Sequence, residues 1–365
     1  MSDWLEARNI LVVRLDNTGD VIMLGPALRA IKKTLPHARL TLLASPAGSA
    51  AAPLLPWIDE VIVWRSVWQD VDGRIPFDPG REWELIQCLA ERKFDAALIF
   101  TSFSQTPHVP AYVCYLAGIP LRAGESKEFG GGTLTTELGG ASDEIHQAER
   151  NLRLVEELGF PVHERHLAVV ISAEDREAAE VLLADIEIHP DQPFVLIHPG
   201  ASAAARRYPS ERFGDVAQLL RHRGWPVVIT GVERETEIVR AACERAPGAP
   251  CLIGQTSLPQ YAALIDRAAL VICGNTLPLH LADAVGTPLV VLYSGTDYEE
   301  QWRPRAVEAE LLRRPTACHP CYRFDCPIGL PCLDIPPTEI VDAAERLLQP
   351  TDTTMSMTSQ MAGGE

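Results

Sequence analysis

The chain has 365 residues, with 49 acidic against 32 basic side chains and a formal net charge of −17. That balance argues against general nucleic-acid binding, which needs a large positive field, though it leaves room for a local basic cleft. No apolar run reaches the ~18 residues of a spanning helix and MSDWLEARN is no signal peptide, so a cytoplasmic protein is expected.

The length exceeds what one core usually holds, so two domains are expected. Short apolar runs rich in Val, Ile and Leu stand at Ile10–Leu15, Leu40–Ala44, Glu60–Trp64 and Ala96–Phe100. Runs of this kind suit parallel strands buried on both faces. The Gly124–Glu144 stretch, GESKEFGGGTLTTELGGASDE, reads as a mobile loop. A helix follows in HQAERNLRLVEELG, ended by Gly159, and HLAVVIS is expected to be the last strand of the first half.

Helix Ala173–Ile186 and the turn HPDQP lead into the second half, where strands recur at Phe194–His198, Val227–Thr230, Leu270–Cys273 and Leu289–Tyr293. Helical patterns at Ser210–Arg223, Glu233–Glu244 and Leu258–Arg267 separate them, and Pro337–Leu348 closes the fold behind a Pro-led start. Repeated β-α units predict an α/β fold of two doubly wound sheets. The expected division is 1–188, 189–348 and a disordered polar tail over 349–365. Ligands of such sheets sit beyond the carboxyl ends of strands, so the loops there are the ones to read for chemistry.

The first such loop, Asp-Asn-Thr-Gly-Asp at 16–20, has one glycine where a dinucleotide fingerprint needs three. Asp20 opens the next helix. It is either a cap for exposed backbone N–H groups or a general base facing the cleft. In LIHPGASAAARRYPSERF, Ser202 offers a hydroxyl and Arg206 a fixed positive charge suited to phosphate; an ordinary loop with solvated arginines is the alternative. In VVITGVERETEIV, Glu235 can accept from a ribose or simply belong to a charged first turn. In VICGNTLPLHLADAVGTPLVVLYSGT, Asn275 and Thr276 sit where a helix N-terminus aims donors at an anion, and His280 follows within the helix. Thr296 repeats that turn logic after the next strand.

ILVVRLDNTGDVIMLGPALRAIKKTLP, HPGASAAARRYPSERF and GNTLPLHLADAVGTPLVVLYSGT, in that order, resemble the bacterial heptosyltransferases, glycosyltransferase family 9. The resemblance spans residues ~10 to ~348. It implies a GT-B fold, two Rossmann-like domains facing a central cleft, with the acceptor in the first and the nucleotide sugar in the second. It implies an inverting, metal-independent transferase with no cofactor. Heptose would move from ADP-heptose to a cell-envelope saccharide, or its lipid-linked form, at the cytosolic face of the inner membrane. On this reading Asp20 is the base, Arg206 takes the place of a phosphate-binding Lys, Ser202 is a nearby hydroxyl, and Glu235 binds the ribose. Thr276 and His280 match the diphosphate loop, while Asn275 and Leu277 depart from its Asp and Gly. Those departures keep a second reading open, a catalytically weak relative that binds nucleotide sugar or glycan in a regulatory or scaffolding role.

Nine cysteines without an export signal are read as thiols or ligands before disulfides. Cys318, Cys321, Cys326 and Cys332 cluster closely enough for a structural zinc or iron site, the less favoured reading. Arg14, Lys32, Lys33, Arg122 and Lys127 are candidate contacts for an anionic acceptor, and Phe103, Tyr112 and Tyr115 for sugar stacking; surface charge and core packing are their ordinary alternatives.

Overall fold

The computed structural model describes residues 3–70 and 73–349. The tail expected to be disordered lies, apart from Gln349, outside the described residues. In chain order the elements of the first half are β1 (Asn9–Arg14), α1 (Thr18–Ile22), α2 (Gly25–Thr34), β2 (Arg39–Ala44), β3 (Glu60–Val63), α3 (Pro79–Glu91), β4 (Ala96–Ile99), α4 (His108–Leu116), β5 (Leu121–Ser126), β6 (Thr136–Gly139), α5 (Gln147–Glu157) and α6 (Ala173–Asp185). Those of the second are β7 (Val195–His198), α7 (Ser210–His222), β8 (Val227–Gly231), α8 (Thr236–Arg245), β9 (Cys251–Ile253), α9 (Leu258–Arg267), β10 (Leu270–Gly274), α10 (Leu277–Val285), β11 (Leu289–Leu292), β12 (Ala309–Leu312) and α11 (Pro337–Leu348).

The sheets have strand orders β3-β2-β1-β4-β5-β6 and β12-β11-β10-β7-β8-β9, and every pairing is parallel. Counted from its own first strand, each half therefore has the same doubly wound order. The central strands carry almost nothing polar: Ile10, Leu11, Val12, Leu196, Ile197 and Ile272 are fully buried. Helices cover both faces of such a sheet, which is why these strands read as unbroken apolar runs. In each half the strand order reverses next to the first strand, between β1 and β4 and between β7 and β10. A crevice opens at that point beyond the strand ends.

Three sequence expectations change here. The Gly124–Glu144 stretch is not one loop: β5 runs through Ser126, and β6 pairs beside it with Ala123 opposite Thr136. Only Leu138 of this edge strand packs against the core, so two flanking glycine clusters masked a weak period-two pattern. HLAVVIS joins neither sheet. Leu167 instead packs with Met23 and Ala148, and Val170 N–H donates to the Leu54 carbonyl at 2.9 Å, which lays the segment along the flank of the first half. From there α6 packs against α9 of the second half. The expected helix Glu233–Glu244 starts as a short 3-10 turn over Glu233–Glu235 before α8.

The cysteine reading also needs correction, because Cys243 of α8 and Cys251 of β9 form a disulfide across eight residues. A tight turn returns the chain beside its own helix and brings the Cα atoms to 6.5 Å, within the range a bridge accepts. Among the described residues no helix is long and apolar enough to cross a membrane.

Candidate active site between the two sheets

The carboxyl ends of β1, β4, β7 and β10 face one cleft of about 890 Å³. Its first wall is built on β1. Arg14, the last residue of that strand, is fully buried, and its Nη2 donates to Asp20 Oδ1 at 2.8 Å and to Ser102 Oγ at 3.0 Å. Its Nε stands 2.9 Å from Asp16 Oδ2. Asp16 Oδ1 accepts from Gln105 Nε2 at 2.5 Å, tying the loop after β4 to the loop after β1. Burial pushes the Asp16 carboxyl above its ordinary pKa, against the pull of Arg14 and with a further push from Asp20. Asp20 lies in the first turn of α1, whose N-cap Asn17 makes no side-chain cap bond.

The opposite wall follows β7 and β10. Arg206 Nη2 pairs with Asp297 at 2.6 Å, and its Nε donates to Thr296 Oγ1 at 3.2 Å. Asn275 Oδ1 accepts from the Ser294 N–H at 3.4 Å and from the Ser294 hydroxyl at 3.3 Å. Next to it the Thr276 hydroxyl is buried, with no hydrogen-bond partner among the described residues, at the N-terminus of α10. Deeper along β8, Glu235 Oε2 accepts the Val232 N–H at 3.1 Å and lies 3.5 Å from His198 Nε2. Tyr261 OH stands 3.0 Å and Thr230 Oγ1 3.2 Å from His198 Nδ1. Burial lowers the His198 pKa, with the Glu235 charge working against the shift. Gly200 lets the Glu235 carboxylate close in on the backbone: a Cβ there would fall 2.3 Å from the Glu235 carboxyl carbon.

The walls meet at α1 and α10. A Cβ on Gly19 would lie 2.9 Å from His280 Cδ2, so glycine lets the helices close. Burial lowers the His280 pKa from 6.5 to about 4, opposed by Asp20 and Asp283 and assisted by Arg206. The ring is therefore neutral near pH 7, between the two charged clusters. Phe103 adds an aromatic bridge, its ring centroid 5.3 Å from that of Tyr322 and 6.5 Å from that of Trp302.

All seven residues singled out from sequence, Asp20, Ser202, Arg206, Glu235, Asn275, Thr276 and His280, line this one cleft. Of the candidate acceptor cations, Lys32 pairs with Asp59 and Lys33 with Glu164, while Arg122 is buried against the carbonyls of Ile119, Pro120 and Thr133. Lys127 does line the cleft, paired with Asp143, and Arg14 is a core group instead of a surface charge. Tyr112 and Tyr115 are exposed and stack on each other outside the cleft lining, so Phe103 alone of the three aromatics is part of it. Asp297, Tyr261 and His198 were missed. Asp297 sits just past β11, where the strand-end rule could have found it; Tyr261 reaches the site from mid-helix and leaves no local signal.

The four clustered cysteines do not gather. Cys332 is buried while Cys318 is exposed, and among the described residues no group of three or more His, Cys, Asp or Glu side chains could hold a metal ion.

Residues 82–330 match the family model of glycosyltransferase family 9 (heptosyltransferase). A lipopolysaccharide heptosyltransferase 2 from Salmonella typhimurium is 24% identical over 352 residues, covering 93% of this chain and 98% of its own length. A solved family 9 glycosyl transferase from Veillonella parvula superposes with a TM-score of 0.75 at 23% identity, covering 93% of this chain and 97% of its own. The solved ADP-heptose lipopolysaccharide heptosyltransferase II of Escherichia coli gives 0.72 at 22% identity, covering 93% and 98%. These likenesses identify the two-sheet architecture as GT-B.

Proposed function

This chain belongs to glycosyltransferase family 9 and is a glycosyltransferase, and we propose that it transfers heptose from ADP-heptose to a hydroxyl of a lipopolysaccharide core saccharide, with inversion. The first half, 1–188, takes the acceptor and the second, 189–348, the nucleotide sugar. Asp20 removes the proton of the acceptor hydroxyl as its oxygen attacks the anomeric carbon. The bond to the diphosphate breaks, and the nucleoside diphosphate leaves from the opposite face.

The charge that develops on the leaving diphosphate falls to Arg206, the Thr276 hydroxyl and the N-terminus of α10, which together form a preorganised electrostatic cradle. Asn275 and Leu277 leave that cradle in place, because the donors come from Arg206, Thr276 and the helix end. Ser202 lies on the same wall, and Glu235 accepts from the ribose. The acceptor saccharide, free or lipid-linked, enters beside Phe103 and Lys127, and the enzyme works at the cytosolic face of the inner membrane. The observation that carries this reading is one cleft with a carboxylate, Asp20, on one wall and, on the other, the cation Arg206 and a buried Thr276 hydroxyl unpaired among the described residues.

Transfer from ADP-heptose to a truncated lipopolysaccharide core, followed as ADP release, tests it. Asp20→Asn should leave ADP affinity within about twofold while transfer falls by about 10²–10⁴. An Asp20→Asn variant that still turns over at the wild-type rate would remove the base. A thermal-shift panel of ADP-, GDP-, UDP- and dTDP-linked sugars reads the base of the donor, since a ligand that binds only the native state raises its melting point. Stabilisation by another nucleotide and not by ADP would overturn the donor.

A further inference from the structure

We propose that Arg14 is a positioning residue for the reaction: it fixes Asp20 for proton abstraction, while Asp16 supplies the counter-charge that keeps this cation from weakening the base. The proposal rests on the reading of Asp20 as that base.

A fully buried guanidinium at the end of a core strand needs a reason, since removing a cation from water is costly and a buried ion pair seldom repays it in stability. Arg14 is also poorly satisfied as a structural group. Its Nη1 and Nε are buried without a hydrogen bond among the described residues, although Nε stands 2.9 Å from the Asp16 carboxylate. A residue retained to stabilise the core would have those donors paired. What Arg14 does hold firmly, through Nη2, is Asp20 Oδ1 at 2.8 Å and the Ser102 hydroxyl at 3.0 Å. That contact engages one oxygen of Asp20. Oδ2 makes no hydrogen bond among the described residues, on a side chain that lines the cleft. Oδ2 is thus the atom that takes the proton.

The charges complete the argument. Arg14 lies between two carboxyl groups, Asp16 at 2.9 Å and Asp20 at 2.8 Å, so its charge is shared and does not fall on Asp20 alone. Asp16 thus offsets the cation beside the base while Arg14 keeps its geometry. The other groups facing Asp20 do not upset this balance: His280 is neutral near pH 7, and Arg206 is paired with Asp297. Asp16 is held in turn by Gln105, so the loops after β1 and β4 are locked around the base. In the step itself the acceptor O–H bond breaks and its proton passes to Asp20 Oδ2. The oxygen's electron pair forms the new glycosidic bond, and the carbon–diphosphate bond leaves with its own pair.

The test compares Arg14→Met, Arg14→Lys and Asp16→Asn, each alone and in an Asp20→Asn background. The readouts are kcat with ADP-heptose and truncated core, and Kd for ADP. Arg14→Met and Asp16→Asn should each lower kcat at least tenfold with the ADP Kd within twofold. Arg14→Lys should recover part of that loss. In the Asp20→Asn background neither should cost anything further, because each acts through the base. Losses that multiply in that background, or an Arg14→Met enzyme that is merely less stable at unchanged kcat, overturn the proposal. Should Arg14→Met fail to fold, the near-isosteric Asp16→Asn carries the test. A crystal structure of Arg14→Lys provides a readout free of substrate: Asp20 is expected to swing from Ser102, and an unmoved Asp20 refutes its positioning by the guanidinium fork. A wild-type rate in Asp20→Asn alone would instead remove the base itself, a separable failure.

Discussion

Gly200→Ala separates function from stability at the proposed ribose contact. Gly200 has no positive φ, so its backbone accepts an alanine; only the new methyl matters. That methyl would lie 2.4 Å from both Glu235 carboxylate oxygens. To regain the 3.4 Å of an ordinary contact the carboxylate must retreat by about 1 Å, enough to break a hydrogen bond of normal length. The far end of a flexible side chain moves cheaply, so the folded protein loses little beyond the Val232 N–H bond at 3.1 Å, about 1 kcal/mol. A ribose hydroxyl donating to this charged acceptor loses about 1.5–3 kcal/mol, or roughly 10- to 100-fold in affinity. Titration calorimetry with ADP and 2′,3′-dideoxy-ADP should find ADP binding weakened by that factor and the dideoxy analogue unaffected, with a melting temperature close to wild type. ADP binding within twofold of wild type in Gly200→Ala would refute the assignment of Glu235 to the ribose.

Two further outcomes are expected. Arg206→Gln should cost transfer about 2–4 kcal/mol in the transition state, seen as a fall in kcat/KM, while also leaving Asp297 buried without its cation; a wild-type kcat/KM would take Arg206 out of the phosphate site. His280 has a folded pKa of about 4 against 6.5 when unfolded, so between those values the unfolded chain binds more protons and stability falls as the pH drops. At pH 5 this amounts to roughly 2 kcal/mol relative to neutral pH, and urea titrations of His280→Gln should show a flatter pH dependence than wild type; equal slopes would mean the ring is not held neutral.

Much of this molecule is legible in its sequence because central parallel strands leave an unmistakable trace. Eight apolar runs predict eight of the twelve described strands, and all seven chosen site residues lie in the loops after them or in the first turn of the helix that follows. Of the four that escape, three lie at sheet edges, where fewer neighbours bury them: all four residues of β12 are half-buried, β6 hides between glycines and β9 is three residues long. The fourth, β5, is interior but reads LRAGES, its polar Arg122, Glu125 and Ser126 buried by pairing that no apolar run announces. Arg14 was misjudged for a related reason. A charge at the end of an apolar run looks like the boundary where a strand meets water, and only the placement of Asp16, Asp20 and Ser102 around it reveals an interior cation. His198 and Tyr261 meet from β7 and α9, 63 residues apart, a pairing that no local pattern encodes. The disulfide was missed because compartment chemistry outweighed the short hairpin-like return that joins α8 to β9.

The tight seating of Gly19 on His280 has a mechanical corollary. When one body rotates against another about a point of contact, displacement grows with distance from that point. A pivot at this seat would leave Asp20 and Thr276, each a residue or a few from it, almost stationary while the outer lips travel furthest. Wide gaping for bulky substrates and fine registration of the reacting groups would then be compatible within a single swing.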